Sequence, residues 1–158
     1  MKRHLLSILF LVVTAVFGIQ VSAEGLLTVT TDGGATVKEL TAEDLAAFPQ
    51  ITVRTANEFV DGETTFAGPL VRDILAACNA SDAREVVFTA ANDYQITVDP
   101  VEFTKYQVIL ATSMNGQALS RRDKGPIWMI YPMSQHAELR DPVYNSRLIW
   151  QLVRMDVK

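Results

Sequence analysis

Apolar and polar positions along this chain fall into short alternating runs broken by turn dipeptides, and one run organises the rest. Residues 125–132 read Gly-Pro-Ile-Trp-Met-Ile-Tyr-Pro, an apolar stretch with turn chemistry at one end and a second proline at the other. Gly-Pro does not continue a helix and proline cannot donate to a central ladder, so a buried strand ending in loops is predicted. Side chains alternate across a pleated sheet, which puts Ile127, Met129 and Tyr131 on one face and Trp128 and Ile130 on the other. Aromatic residues are common in strands, so core filling is the first account of Trp128 and Tyr131.

The flanking sequence supplies the partners. Residues 26–31 alternate as a strand, and Asp32-Gly33-Gly34 turns the chain into a second extended piece at 36–40, an N-terminal hairpin. Thr41-Ala42-Glu43-Asp44 has the form of a capping box with Asp in place of Glu; it opens a short helix with Leu45 and Phe48 inward, stopped by Pro49. Residues 51–56 read as a strand, Asp61-Gly62 as a hairpin turn and 64–67 as its return. Gly68-Pro69 leads into an amphipathic helix that places Leu70, Val71, Ile74, Leu75 and Cys78 on one stripe, with Asn79 as its cap.

Residues 85–90 and 94–98 form a second predicted hairpin with Asn92-Asp93-Tyr94 at its tip. Asp99-Pro100 starts one helical turn through Phe103, 108–111 is a short buried strand, and Asn115-Gly116 turns the chain again. Asp141-Pro142 begins a loop, and 150–157 reads as a final strand. Many short strands with three short helices predict an α+β single domain, a mixed sheet or small barrel. A doubly wound parallel fold would need longer crossover helices.

Composition changes this picture at the N-terminus. Of 158 residues, 49% are hydrophobic, enough for one sizeable core. Met1-Lys2-Arg3-His4 is a basic start, residues 5–19 are almost unbroken apolar sequence, and Val21-Ser22-Ala23 offers small residues for a signal peptidase. The apolar run is shorter than the roughly 20 residues of a spanning helix. Residues 1–23 are therefore expected to be a cleaved signal peptide and 24–158 the exported domain. Losing Lys2 and Arg3 from 14 basic residues leaves 12 against 18 acidic ones, a net charge of −6 with His neutral. Such an acidic domain is a poor partner for nucleic acid or anionic lipid.

Motif chemistry excludes several classes. Cys78 is the single cysteine, so neither an internal disulfide nor a cysteine-based structural zinc site is available. His136 is the one histidine outside the leader and has no acidic or cysteine partner at ligand spacing. No Gly-x-Ser-x-Gly, Gly-x-x-x-x-Gly-Lys-Ser/Thr or Gly-x-Gly-x-x-Gly occurs, which removes the usual serine-hydrolase and nucleotide loops. What remains is a set of polar and aromatic residues near strand ends: Arg54, Asn57, Asp93, Tyr94, Arg121, Arg122, Trp128, Tyr131, Tyr144 and Arg147. Each alone is an ordinary surface or core group, but together they offer a ring to stack on, a carboxylate acceptor and several donors. A planar, hydrogen-bonding heterocycle needs those features.

The order of several segments resembles the molybdopterin-binding oxidoreductase domain of sulfite oxidase and its bacterial relatives, over roughly residues 51–157. The matching pieces are Thr65-Phe66-Ala67-Gly68-Pro69-Leu70 with Ile74-Leu75, residues 87–94, Val108-Ile109-Leu110-Ala111 with Asn115-Gly116 and Leu119, residues 125–132, and residues 150–157. The resemblance implies the mixed α+β sulfite-oxidase fold. It also implies a molybdenum-ligating cysteine just after the strand at 51–53, where this chain has Arg54-Thr55-Ala56-Asn57. Where the enzymes often carry an arginine before the last proline, this chain has Trp128.

In these departures the chain resembles small periplasmic pterin-binding regulators that bind a free pterin without the metal and act on the periplasmic domain of an inner-membrane cyclic-di-GMP enzyme. The resemblance implies a non-catalytic, periplasmic role with a pterin as ligand. It places the ring on Trp128, with Tyr131 or Tyr94, and gives its edges to Asp93, Arg54, Asn57 or Arg147. The alternative is a molybdopterin-dependent oxidoreductase or an accessory subunit of one. Intact-mass analysis of the exported protein is expected to show a chain beginning at Glu24; retention of Met1 would overturn the leader assignment.

Overall fold

The computed structural model describes residues 24–158, so the expected signal peptide lies outside the described residues. The hairpin at the start of this span forms as predicted, from β1 (Leu27–Thr31) and β2 (Thr36–Leu40) in antiparallel register. Helix α1 (Ala42–Ala47) begins at the capping box. Thr41 Oγ1 accepts the Asp44 N–H at 3.1 Å, and the Asp44 carboxylate accepts the Thr41 N–H at 2.9 Å. Strands β3 (Ile51–Thr55) and β4 (Thr64–Gly68) then pair antiparallel along their full length. Helix α2 (Val71–Ala77) buries Val71, Ile74 and Leu75, and Asn79 follows its C-cap in the left-handed region that closes such ends.

Strands β5 (Val86–Ala90) and β6 (Gln95–Val98) form the second hairpin, and α3 (Val101–Lys105) follows Pro100. The short strands β7 (Ile109–Ala111), β8 (Ser113–Met114), β9 (Gln117–Ala118) and β10 (Trp128–Ile130) lead to 3-10 turns at Ala137–Arg140 and Pro142–Arg147, and then to β11 (Leu152–Val157). Hydrogen bonding sorts the strands into a five-stranded sheet of order β2-β1-β11-β5-β6, a four-stranded sheet β3-β4-β8-β9 and the ribbon β10-β7. The β1–β11 pair is parallel and the others are antiparallel, so the mixed α+β expectation holds. Only isolated bridges join the three sheets and no barrel closes, which replaces the barrel alternative with open sheets.

The β7–β10 ribbon is buried on both faces and divides two apolar clusters. Ile127, Met129 and Tyr131 enter the larger one with β1, β5, β11 and α2, while Trp128 and Ile130 enter the smaller one with Val53 and Phe66. The alternation along residues 127–131 thus feeds two cores. Fully burying side chains of this size stabilises by about 1.5–3 kcal/mol each. The other edge of β10 meets the chain entering β11: Met129 N–H donates to Ile149 O at 2.9 Å and Leu152 N–H to Ile127 O at 3.1 Å. The last strand starts at Leu152 rather than near 150 because Gln151 has a positive φ of 51°, and a register irregularity follows between Leu152 and Arg154.

Two glycines mark close backbone approaches. A Cβ on Gly68 would stand 2.0 Å from Leu110 O, and one on Gly125 would stand 2.3 Å from Leu119 O. Both obstacles are backbone, so β7 in the first case and the segment just after β9 in the second would have to move. A polar tie anchors the loop after the ribbon: Tyr131 donates to Glu102 Oε2 at 2.9 Å, and Arg147 is ion-paired with the same carboxylate. Desolvation, followed by the nearby Glu102 charge, pushes the Tyr131 phenol well above its ordinary range. The tie joins α3 to the end of the 142–147 turn. Glu102→Ala leaves the buried Tyr131 hydroxyl unpaired and should cost about 1–3 kcal/mol in urea unfolding, partly recovered when Tyr131→Phe is added. Gly68→Ala should lower the midpoint further than Ala substitution at the open turn glycine Gly62 does.

Candidate functional site

The turns at one end of these sheets surround a cleft of about 480 Å³, within the usual range for small-molecule sites. Three segments build it. The loop after β3 supplies Glu58 and Phe59, the β5–β6 turn supplies Asn92 and Tyr94, and residues 142–150 supply Asn145, Ser146, Leu148, Ile149 and Trp150. Local hydrogen bonds fix each segment. Asn57 Oδ1 accepts the Phe59 N–H at 2.9 Å, Asn92 Oδ1 accepts the Tyr94 N–H at 3.2 Å, and Asp141 Oδ1 accepts the Val143 N–H at 3.0 Å. These are the side-chain-to-backbone bonds that Asn and Asp make at turns. Tyr94 also donates its hydroxyl to Ser146 O at 3.3 Å, tying the β5–β6 turn to the opposite wall.

An edge-on aromatic series runs from the cleft into the smaller core. Phe59 and Trp150 meet at 4.9 Å and 74°, Trp150 and Trp128 at 6.4 Å and 89°, and Trp128 and Phe66 at 5.3 Å and 84°. Trp150 lines the cleft, while Trp128 is completely buried behind it. The Trp128 Nε1 proton is committed to Leu148 O at 3.0 Å, and Lys124 lies over the ring at 5.2 Å. Trp128 does not line this cleft: Phe66, Trp150 and Lys124 enclose it, the cavity of about 300 Å³ that it borders is shared with Lys124 and Arg122, and the cleft offers Trp150 where Trp128 was expected. Its role is to hold the backbone that carries Leu148 and Trp150.

The other expected residues separate in the same way. Tyr94 lines the cleft, and Asn57 lines an adjoining cavity of about 390 Å³ that shares Glu58 and Asn145 with it. Tyr131 is buried on the far face of β10, bonded to Glu102, and is not among the lining residues. Arg147 also faces that carboxylate and the Tyr144 ring, 5.1 Å away. Arg54 is an exposed strand residue paired with Glu63 at 2.9 Å. Asp93 occupies the exposed tip of its hairpin at φ 65° and lines neither cavity. In place of these groups the structure brings forward Trp150, Phe59, Glu58, Asn92 and Asn145. Their sequence signal was weak: Trp150 sits at the start of a predicted strand and Phe59 in an unremarkable loop.

The second wall of the adjoining cavity is held by a buckle between β3 and residues 133–134. Ala56 N–H donates to Ser134 Oγ at 3.0 Å, and Ser134 N–H donates to Thr55 Oγ1 at 3.0 Å. The end of β3 is thereby fixed where the cleft and the cavity meet. Cys78 lines neither space; burial pushes its thiol above the ordinary value, against the opposing effect of Lys38. Among the described residues no group of His, Cys, Asp or Glu is arranged to hold a metal ion. No helix among them is long and apolar enough to cross a membrane.

The fold is shared with known proteins. Among solved structures, the sulfane dehydrogenase SoxCD of Paracoccus pantotrophus superposes with a TM-score of 0.62 at 16% identity, over 83% of this chain. The chain spans 37% of the length of that protein, and the likeness is one of sulfite-oxidase-type fold. No curated protein sequence matches significantly. The family model for the oxidoreductase molybdopterin-binding domain matches residues 21–138. That span takes in the β1–β2 hairpin and so corrects the expectation that the resemblance begins near residue 51. On this match over most of its length, the chain belongs to the oxidoreductase molybdopterin-binding domain family.

Proposed function

We propose that this protein is a non-catalytic periplasmic pterin-binding protein that relays pterin availability to the periplasmic domain of an inner-membrane cyclic-di-GMP signalling enzyme. The observation that carries the proposal is the cleft itself: Trp150, Phe59 and Tyr94 frame a space flanked by the amides of Asn92 and Asn145. A flat bicyclic heterocycle gains stacking from such walls and hydrogen bonds at its edges. Membership of a molybdopterin-binding family supports a pterin-type ligand.

The organic ring fits these residues and the metal centre does not. The segment after β3 offers the guanidinium of Arg54, the hydroxyl of Thr55 and the amide of Asn57, but no thiolate for molybdenum. The cleft lining itself contains no lysine or arginine, and the one cation nearby, Arg140, lines the adjoining cavity and donates to Ser134 O at 3.4 Å. A binding role follows more naturally than oxidoreduction from this set of donors.

The relay is supported by where the cleft opens. Tyr94 is 47% exposed on one rim and Val143 is 54% exposed on the turn that carries the other wall. A ligand that bridges the β5–β6 turn and residues 142–150 would stabilise one arrangement of this surface, and a receptor selecting that arrangement would sense occupancy.

Protein purified from a periplasm and denatured should release close to one pterin per chain without stoichiometric molybdenum; bound molybdenum would favour the oxidoreductase alternative. Trp150→Ala should weaken pterin binding about ten- to a hundredfold, the loss of about 1–3 kcal/mol of stacking. Trp128→Ala should instead destabilise the unliganded protein by about 3–5 kcal/mol. Unchanged affinity in the Trp150 variant would remove the cleft from consideration.

A further inference from the structure

Glu58 supplies the one carboxylate of the cleft lining, which holds no lysine or arginine, and it stands at the junction with the adjoining cavity, where Arg140 lies on the wall, bonded to Ser134 O. It is exposed and takes part in none of the ion pairs among the described residues. Its position is nonetheless set by its neighbours: Asn57 is held through Phe59 N–H, and Ala56 through Ser134. A charged acceptor in an otherwise uncharged aromatic cleft favours a ligand edge made of N–H donors and disfavours one made of carbonyl oxygens.

The preceding residue supplies the complementary group. Asn57 Oδ1 is used by Phe59, which leaves Nδ2 as the donor, and Nδ2 is buried without a hydrogen-bond partner among the described residues. A donor withdrawn from water in this way is unfavourable until an acceptor reaches it. Asn57 lines the cavity beside Glu58, so an acceptor carried on the same ligand edge would meet it after the small side-chain adjustments that accompany binding.

Resting on the pterin reading of this cleft, we infer that Glu58 is its specificity-determining residue and selects 2-amino-4-oxo heterocycles. The carboxylate accepts the ring N3–H and 2-amino protons, while Asn57 Nδ2 donates to the 4-oxo oxygen. A 2,4-dioxo analogue sets a carbonyl against the carboxylate and loses a charge-assisted bond, whereas its 4-oxo group still meets Asn57.

The test is calorimetric titration of the mature protein with pterin and with lumazine, its 2,4-dioxo counterpart. Wild-type protein should prefer pterin by about ten- to a hundredfold. Glu58→Gln, whose amide can turn to donate, should bind the two with nearly equal affinity while unfolding at the same temperature as wild type. Asn57→Asp, which keeps the oxygen that accepts Phe59 N–H and loses the Nδ2 donor, should weaken both ligands and keep their ratio. Equal binding of pterin and lumazine by wild type, or a preference that survives Glu58→Gln, would overturn the role of Glu58 and leave the pterin reading standing. Failure of wild type to bind either heterocycle would overturn both.

Discussion

Everything near the cleft depends on one short ribbon that is buried on both faces. β10 has three residues, yet β7 bonds to one edge and the chain entering β11 bonds to the other, and its side chains alternate into two different clusters. A strand in that position has no solvent-facing side on which to place polar groups, which is why residues 127–131 are continuously apolar or aromatic. A slip by one residue would exchange the two faces and put the wrong side chains into both cores at once. The ribbon therefore determines the position of Leu148 to Trp150, through the Trp128 indole and the β10 backbone, and with it the floor of the cleft.

The cleft is made from turns, and its rigidity comes from local polar chemistry rather than from the core alone. Asn57, Asn92 and Asp141 each fold a short segment by accepting a backbone N–H two residues ahead. The Tyr131, Glu102 and Arg147 tie then anchors the end of one of these segments to α3 and β10. The resulting division of labour is physical: the ribbon and the tie hold a scaffold, and the turns present Trp150, Phe59, Tyr94 and Glu58 on it.

The proposed metal-free role is compatible with membership of a molybdopterin-binding family because a ring and a metal make separate demands. The ring needs flat apolar walls and edge partners; molybdenum needs a thiolate and the phosphate needs cations. The cleft offers aromatic walls and edge amides, and the one cysteine caps α2 outside the cleft lining. A shared fold does not by itself carry the chemistry of a site, since fold and function are separable.

The sequence by itself determined the element order, the hairpins, the capping box and the two-faced pattern of residues 127–131, because these depend on local turn chemistry and on the period of two along a strand. It also picked out Tyr94 and Asn57, which line the cleft and the adjoining cavity, since both sit at strand ends where loops gather. Which indole lines the cleft was decided only by tertiary structure. Trp128 and Trp150 are both aromatic residues in or beside strands, and they differ only in that Phe66, Lys124 and the Leu148 carbonyl enclose the first. Arg54, Arg147 and Asp93 shared the composition of a binding site, but Glu63 and Glu102 engage the two arginines and the hairpin tip carries Asp93 outward. Such pairings join residues distant in sequence or depend on how a turn points, and neither leaves a periodic trace in the chain.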